Sequence, residues 1–188
     1  IGISSASFFL KAYTEDSFDI FRSMDCNVCE IFLNTFSEYE DSFTELLAKK
    51  QQEVRVHSVH TLNNHFEPEL FNMSPRTRAD AEDIFCKVLR GAKRLGAKYY
   101  TFHGQARLKS KPYNVSYDKF GKRCSEINDI CNKYGVTLSY ENVHWSLYNF
   151  AGFFSQLKEL APRLLATLDI KQAMQSGTSV YDYIEDMG

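Results

Sequence analysis

"VTLSYEN", residues 136–142, divides cleanly into two faces. Side chains along a strand point to alternate sides, so Thr137, Ser139 and Glu141 share one face while Val136, Leu138 and Tyr140 share the other. The division recurs elsewhere. Thr167 and Asp169 oppose Ala166 and Leu168, Thr101 and His103 oppose Tyr100 and Phe102, and Arg55 and His57 oppose Val54 and Val56. Each run has an apolar face suited to packing under helices and a polar face ending in an ionisable group. An open sheet covered on both sides tends to be apolar on both. A barrel with a partly polar inner face, its charges at the C-terminal rim, explains the pattern more directly, and in (β/α)8 barrels that rim carries the active site.

The rest of the chain supplies the alternation such a barrel needs. Further short apolar runs are "IGISS" (1–5), "VCEIFL" (28–33), "VRVHSVH" (54–60), "KYYTFHG" (98–104) and "LLATLDI" (164–170). Segments of helical period lie between them. Ser37 and Glu40 form a capping-box start before "DSFTELLAKK"; Ser74 and Pro75 open a helix reaching Leu95, with Gly96 after its end. A helix over 116–134 stops at Gly135, another over 149–161 is closed by Pro162, and "VYDYIEDM" begins one more. Helix-length crossovers between strands imply a parallel α/β sheet. The first strand is followed by "ASFFLKAY", without the Gly-rich phosphate turn of a doubly wound sheet. The expected fold is therefore α/β, of the (β/α)8 TIM-barrel type, with six βα units in a single domain over 1–188. Eight units and roughly 250 residues are usual, so the reading includes a C-terminal truncation.

Composition narrows the class. At 188 residues, 44% apolar and 24% charged, the chain can bury a sizeable core. No run approaches the roughly 20 apolar residues of a membrane helix, and a net charge of −2 gives no global attraction to nucleic acid. No secretory leader is visible, and five cysteines, an odd number, fit a reducing cytoplasm. "CNVC" (26–29) has half-zinc-site spacing but lacks a matching second pair; a buried thiol near a strand start is the simpler reading. Self-association into a homo-oligomer is left open by the sequence.

Glu141, Asp169, His103 and His57 would converge on one pocket if all four strand ends meet. Carboxylates with imidazoles form a ligand set for Mn²⁺, Mg²⁺, Co²⁺ or Zn²⁺, and a cation relieves the repulsion between neighbouring carboxylates. Plainer readings stand beside this one. A strand-end histidine is often a hydrogen-bonded structural residue, and Asp169 is equally placed to cap a following helix.

"TFHG", "SYEN" and "LDIKQA" at the ends of the fourth, fifth and sixth strands resemble the xylose isomerase-like barrels, a superfamily of sugar isomerases, epimerases and endonuclease IV-type nucleases. The resemblance implies that Glu141 and Asp169 are metal-binding carboxylates, with Glu141 also taking part in proton transfer. It implies that His103 is a pocket histidine binding substrate or metal, and that Asn142 orients Glu141. His57 matches the third-strand histidine of the nucleases, with His60 a rival three residues on. Where many members carry Asp-x-x-His, this chain has Gln172, which can hydrogen-bond a sugar hydroxyl but is a poor zinc ligand. Trp145 and Phe66 are candidate pocket walls.

The implied activity is a metal-assisted isomerase or epimerase acting on a small carbohydrate through an enediolate-like state, with Glu141 as base and His57, His103, Asn142 and Gln172 contacting substrate. The competing reading is a phosphodiesterase on DNA with abasic sites. Its support is the basic stretch of Arg107, Lys109, Lys111, Lys119, Lys122 and Arg123, which is otherwise a solvated loop and helix face. A non-catalytic sugar- or partner-binding barrel is the third reading.

Overall fold

The computed structural model describes residues 1–62, 65–107 and 115–188. Six strands form one sheet in sequence order, every neighbouring pair parallel: β1 (Ile3–Ser4), β2 (Val28–Leu33), β3 (Arg55–Thr61), β4 (Tyr99–Phe102), β5 (Thr137–Glu141) and β6 (Leu165–Thr167). A doubly wound sheet would reverse its strand order partway. This one advances in a single direction, as six consecutive strands of an eight-stranded barrel do.

Seven α-helices accompany the strands among the described residues: α1 (Ser17–Ser23), α2 (Asp41–Gln51), α3 (Pro75–Arg94), α4 (Tyr117–Lys133), α5 (Phe153–Leu160), α6 (Ile170–Ser176) and α7 (Val180–Met187). The Ser74 hydroxyl caps α3 beside Pro75, and Gly96 (φ +72°) and Gly135 (φ +74°) take the left-handed conformation just past α3 and α4, as the sequence indicates. The expected capping box at Ser37 does not form. Phe36–Tyr39 winds into a 3₁₀ turn first, Ser37 pairs with the Thr35 hydroxyl, and α2 begins at Asp41. Helix α5 starts later than expected, after Gly152 at φ +93°.

The outer face of the sheet is the core. Ile31 and Leu33 of β2, Val56 and Val59 of β3, Tyr100 and Phe102 of β4, and Leu138 and Tyr140 of β5 are buried with Phe18, Leu47, Phe85, Leu89, Ile127 and Phe153 from the helices. The inner face is polar and fronts a cavity of about 580 Å³ lined in part by Glu30, Ser58, Thr101, Ser139 and Thr167. Here the Ser139 and Thr167 hydroxyls pair at 2.6 Å. All five cysteines are free, and burial pushes the Cys29 thiol up to about 12. No described helix is long and apolar enough to cross a membrane.

Candidate functional site

Three strands deliver one side chain each to the C-terminal rim. His60 near the end of β3, His103 just after β4 and Glu141 at the end of β5 bring one ligand-type atom each within 4.8 Å of one another. The two Nε2 atoms face each other at 2.8 Å, and His103 Nε2 is also 3.0 Å from Glu141 Oε2. Trp145 flanks the group, its ring 5.3 Å from that of His103.

Each imidazole has a carboxylate behind it. Glu30 Oε1 lies 3.5 Å from His60 Nδ1, and Glu67 Oε2 lies 3.7 Å from His103 Nδ1. Burial alone would push Glu30 up, but His60 and the Ser4 and Ser58 hydroxyls outweigh it and hold the carboxyl down at about 2. For His103, burial favours the neutral ring, while Glu141 and Glu67 outweigh it and raise the group to about 10. A raised histidine stabilises the fold fully below its unfolded value of 6.5, and that stability is lost as pH rises through about 10. Glu30, lowered from 4.5, contributes above 4.5 and loses its contribution as pH falls through about 2. The metal-free protein should therefore lose a few kcal/mol between pH 6.5 and 10, measured by urea unfolding. His103→Gln should flatten that alkaline slope; an unchanged slope would refute the assignment.

The positions expected from sequence divide. His103 and Glu141 are buried and meet. His57 does not join them. The β2–β3 register shifts between Cys29 and Glu30, pairing them with Val56 and Ser58, so His57 is the bulged residue, exposed and resting against the Tyr99 ring. The bulge resets the alternation, and Ser58 and His60 take the inner face, with Ser58 donating to Glu30 and His60 facing His103. Asp169 lies outside the group of three: its Oδ1 caps α6 by accepting from Gln172 N at 2.7 Å. Asn142, fully buried, accepts from Asp169 N and donates to Asp169 O, tying the ends of β5 and β6 together. Gln172 Oε1 accepts from His144 N and lies 2.5 Å from His144 Nδ1. Phe66 is core, 1% exposed and packed against Tyr39 and Phe85.

Two residues escaped the sequence reading. Glu30 sits mid-strand in "VCEIFL", and the face analysis applied to the other strands would have exposed it as a charge between apolar neighbours. Glu67 lies in a loop before Pro68, with no period to mark it. It is fully buried and accepts from His103 N, Gly104 N and the Tyr100 hydroxyl.

The basic stretch is largely engaged or solvated. Arg123 donates to Leu70 O and pairs with Glu82 and Glu126, while Arg107, Lys119 and Lys122 are exposed. Lys109 and Lys111 lie outside the described residues.

A family model described as "Xylose isomerase-like TIM barrel" matches residues 16–186. No curated protein matches the chain. Among solved structures, a D-tagatose 3-epimerase-like protein aligns with a TM-score of 0.76 at 20% identity, over 99% of this chain and 70% of its own. D-psicose 3-epimerase from Clostridium cellulolyticum H10, solved with D-tagatose, gives 0.78 at 15% identity over 100% and 69%. The IOLI protein with a bound zinc atom gives 0.72 at 15% identity over 97% and 67%. At such identities the likeness is one of fold.

Proposed function

The chain belongs to the xylose isomerase-like TIM barrel family, and from that premise we propose that it is a divalent-metal-dependent isomerase or epimerase of a small sugar or sugar phosphate. The observation that carries the reading is the meeting of His60, His103 and Glu141 at the ends of three neighbouring strands. Two imidazole nitrogens only 2.8 Å apart and a carboxylate 3.0 Å from one of them must share a proton or a cation. The donor set suits Zn²⁺, Mn²⁺ or Co²⁺ better than Mg²⁺, which prefers oxygen. His60, His103 and Glu141 would hold such an ion, and capping leaves Asp169 one carboxylate oxygen that we assign to it as well. Bound there, a divalent ion supplies Lewis-acid polarisation of a substrate oxygen.

The chain's own residues then have separable tasks. Glu141 is the base that moves a proton on the carbon beside the substrate carbonyl, through an enediolate-like state. Asn142 holds the β5 and β6 ends in register, so Glu141 and Asp169 keep a fixed separation. Gln172, tied to His144, lies on the β6 side of the mouth and offers partners to sugar hydroxyls, while Trp145, beside His103, offers a ring face.

The test is deuterium exchange. The chain is incubated in D₂O with Mn²⁺ or Zn²⁺ and a ketohexose such as D-tagatose or D-fructose, and label at the carbon beside the carbonyl is followed by NMR. Metal-dependent labelling, abolished in Glu141→Gln, is expected. A chain that neither takes up metal nor labels any ketose would refute the reading.

The nitrogen-rich character of the trio, with zinc as its natural partner, favours a second reading as a phosphodiesterase on abasic DNA. Salt-sensitive binding to a duplex bearing an abasic site, in preference to an intact duplex, would favour that reading. Loss of the Arg123 side chain to internal partners weighs against it.

A further inference from the structure

We infer that Glu30 and Glu67 are positioning residues, one behind each imidazole, which hold His60 and His103 with Nδ1 toward the carboxylates and Nε2 toward the mouth. The inference rests on the metal reading given above and adds two residues outside the ligand group.

Glu30 is fixed on both oxygens. Ser4 donates to Oε1 at 2.8 Å, and Ser58 and Thr101 each donate to Oε2 at 2.9 Å. Hydroxyls from β1, β3 and β4 thus aim the carboxylate, and its Oε1 is left 3.5 Å from His60 Nδ1. Glu67 is fixed by different means. It takes the backbone N–H groups of His103 and Gly104 on Oε2, at 2.9 and 3.0 Å, and the Tyr100 hydroxyl on Oε1 at 2.6 Å. That clamp fixes the backbone from which the His103 ring projects and sets Oε2 3.7 Å from Nδ1. His103 Nδ1 is itself buried without a hydrogen-bond partner, so the Glu67 carboxylate is the charge it faces.

The chemical consequence follows from the imidazole tautomers. A carboxylate at Nδ1 keeps a proton on that nitrogen and leaves the Nε2 lone pair for a metal. Two rings so arranged have their Nε2 atoms 2.8 Å apart; in the metal-free protein one of the two carries the shared proton, and once it leaves both lone pairs are available to one ion. Two anchors of different make, a β2 carboxylate held by three hydroxyls and a loop carboxylate held by two backbone N–H groups and a phenol, achieve the same orientation twice, which packing alone does not require.

The experiment uses zinc as probe and two variants, Glu30→Gln and Glu67→Gln, each checked for folding by circular dichroism and thermal unfolding. Zinc affinity, measured by competition with a chromophoric chelator, should weaken about 10- to 100-fold in each folded variant. Ring ¹⁵N spectra of the metal-free wild-type protein should show the His60 proton on Nδ1, with its population shifting toward Nε2 in Glu30→Gln. If Glu67→Gln does not fold, Glu30→Gln decides alone. Affinity within twofold of wild type in the folded variants overturns the inference. A wild-type chain that takes up no zinc sinks the metal reading instead. The positioning roles are then decided by the metal-free spectra, where a His60 proton on Nε2 refutes them.

Discussion

Replacing Glu141 by Gln is expected to weaken zinc or manganese binding more than a hundredfold while leaving the fold in place. Glu141 ends β5 with its carboxylate 3.0 Å from His103 Nε2, in a side chain only 11% exposed. The amide is nearly isosteric, so strand pairing and the buried neighbours are undisturbed. What disappears is a negative charge in a water-poor site, where a unit charge counts for more than at the surface. Substitutions one shell out typically cost 10- to 100-fold in metal affinity, so loss of a direct anionic ligand should exceed that range. A second readout comes from the metal-free protein. Glu141 and Glu67 together raise His103 against the opposing effect of burial, so Glu141→Gln should also shrink the loss of stability between pH 6.5 and 10. Binding within threefold of wild type would remove Glu141 from the ligand set.

How much of this could be read beforehand depends on whether a local rule survived tertiary contact. The alternation in β4 and β5 did, because those strands pair in unbroken register, and His103 and Glu141 could be named from spacing alone. In β3 a single bulged residue defeats the same rule: His57 takes the extra position, and every inward assignment after it moves by one, to Ser58 and His60. Nothing in "VRVHSVH" announces where the bulge falls; the partner strand decides it. Asp169 was legible as either ligand or cap; one of its carboxylate oxygens makes the cap, which leaves the other free for the ligand role. Glu67 was not legible at all, since its value comes from Tyr100, His103 and Gly104, more than thirty residues away in the chain. Parallel order and helix ends were recoverable because glycines, prolines and apolar periods act locally. The inner-face network was not, because it is built from contacts between strands.

Gly104→Ala should cost about 3 kcal/mol or more of folding stability and weaken metal binding at the same time. The residue sits at φ +69°, where a side chain is strained, and a Cβ there would come 2.1 Å from the Tyr140 hydroxyl oxygen and 2.7 Å from its ring carbon. Tyr140 is fully buried among Phe102, Tyr148 and Phe153, so its ring has no room to retreat. The other way out is for the backbone to move, but Gly104 N is held by Glu67 Oε2. Any such shift is passed directly to His103, the preceding residue, and so to its Nε2. Gly96→Ala separates strain from collision: Gly96 has a similar φ of +72°, but a Cβ there would meet nothing within 4 Å, so its cost should stay near 1 kcal/mol with metal affinity unchanged. Adding Tyr140→Phe to Gly104→Ala removes the nearest clashing atom and should restore part of the lost stability. Equal losses at Gly96 and Gly104 in urea unfolding would mean that backbone conformation alone accounts for the effect, and that the close approach of Gly104 to Tyr140 does not hold the β4 end in place.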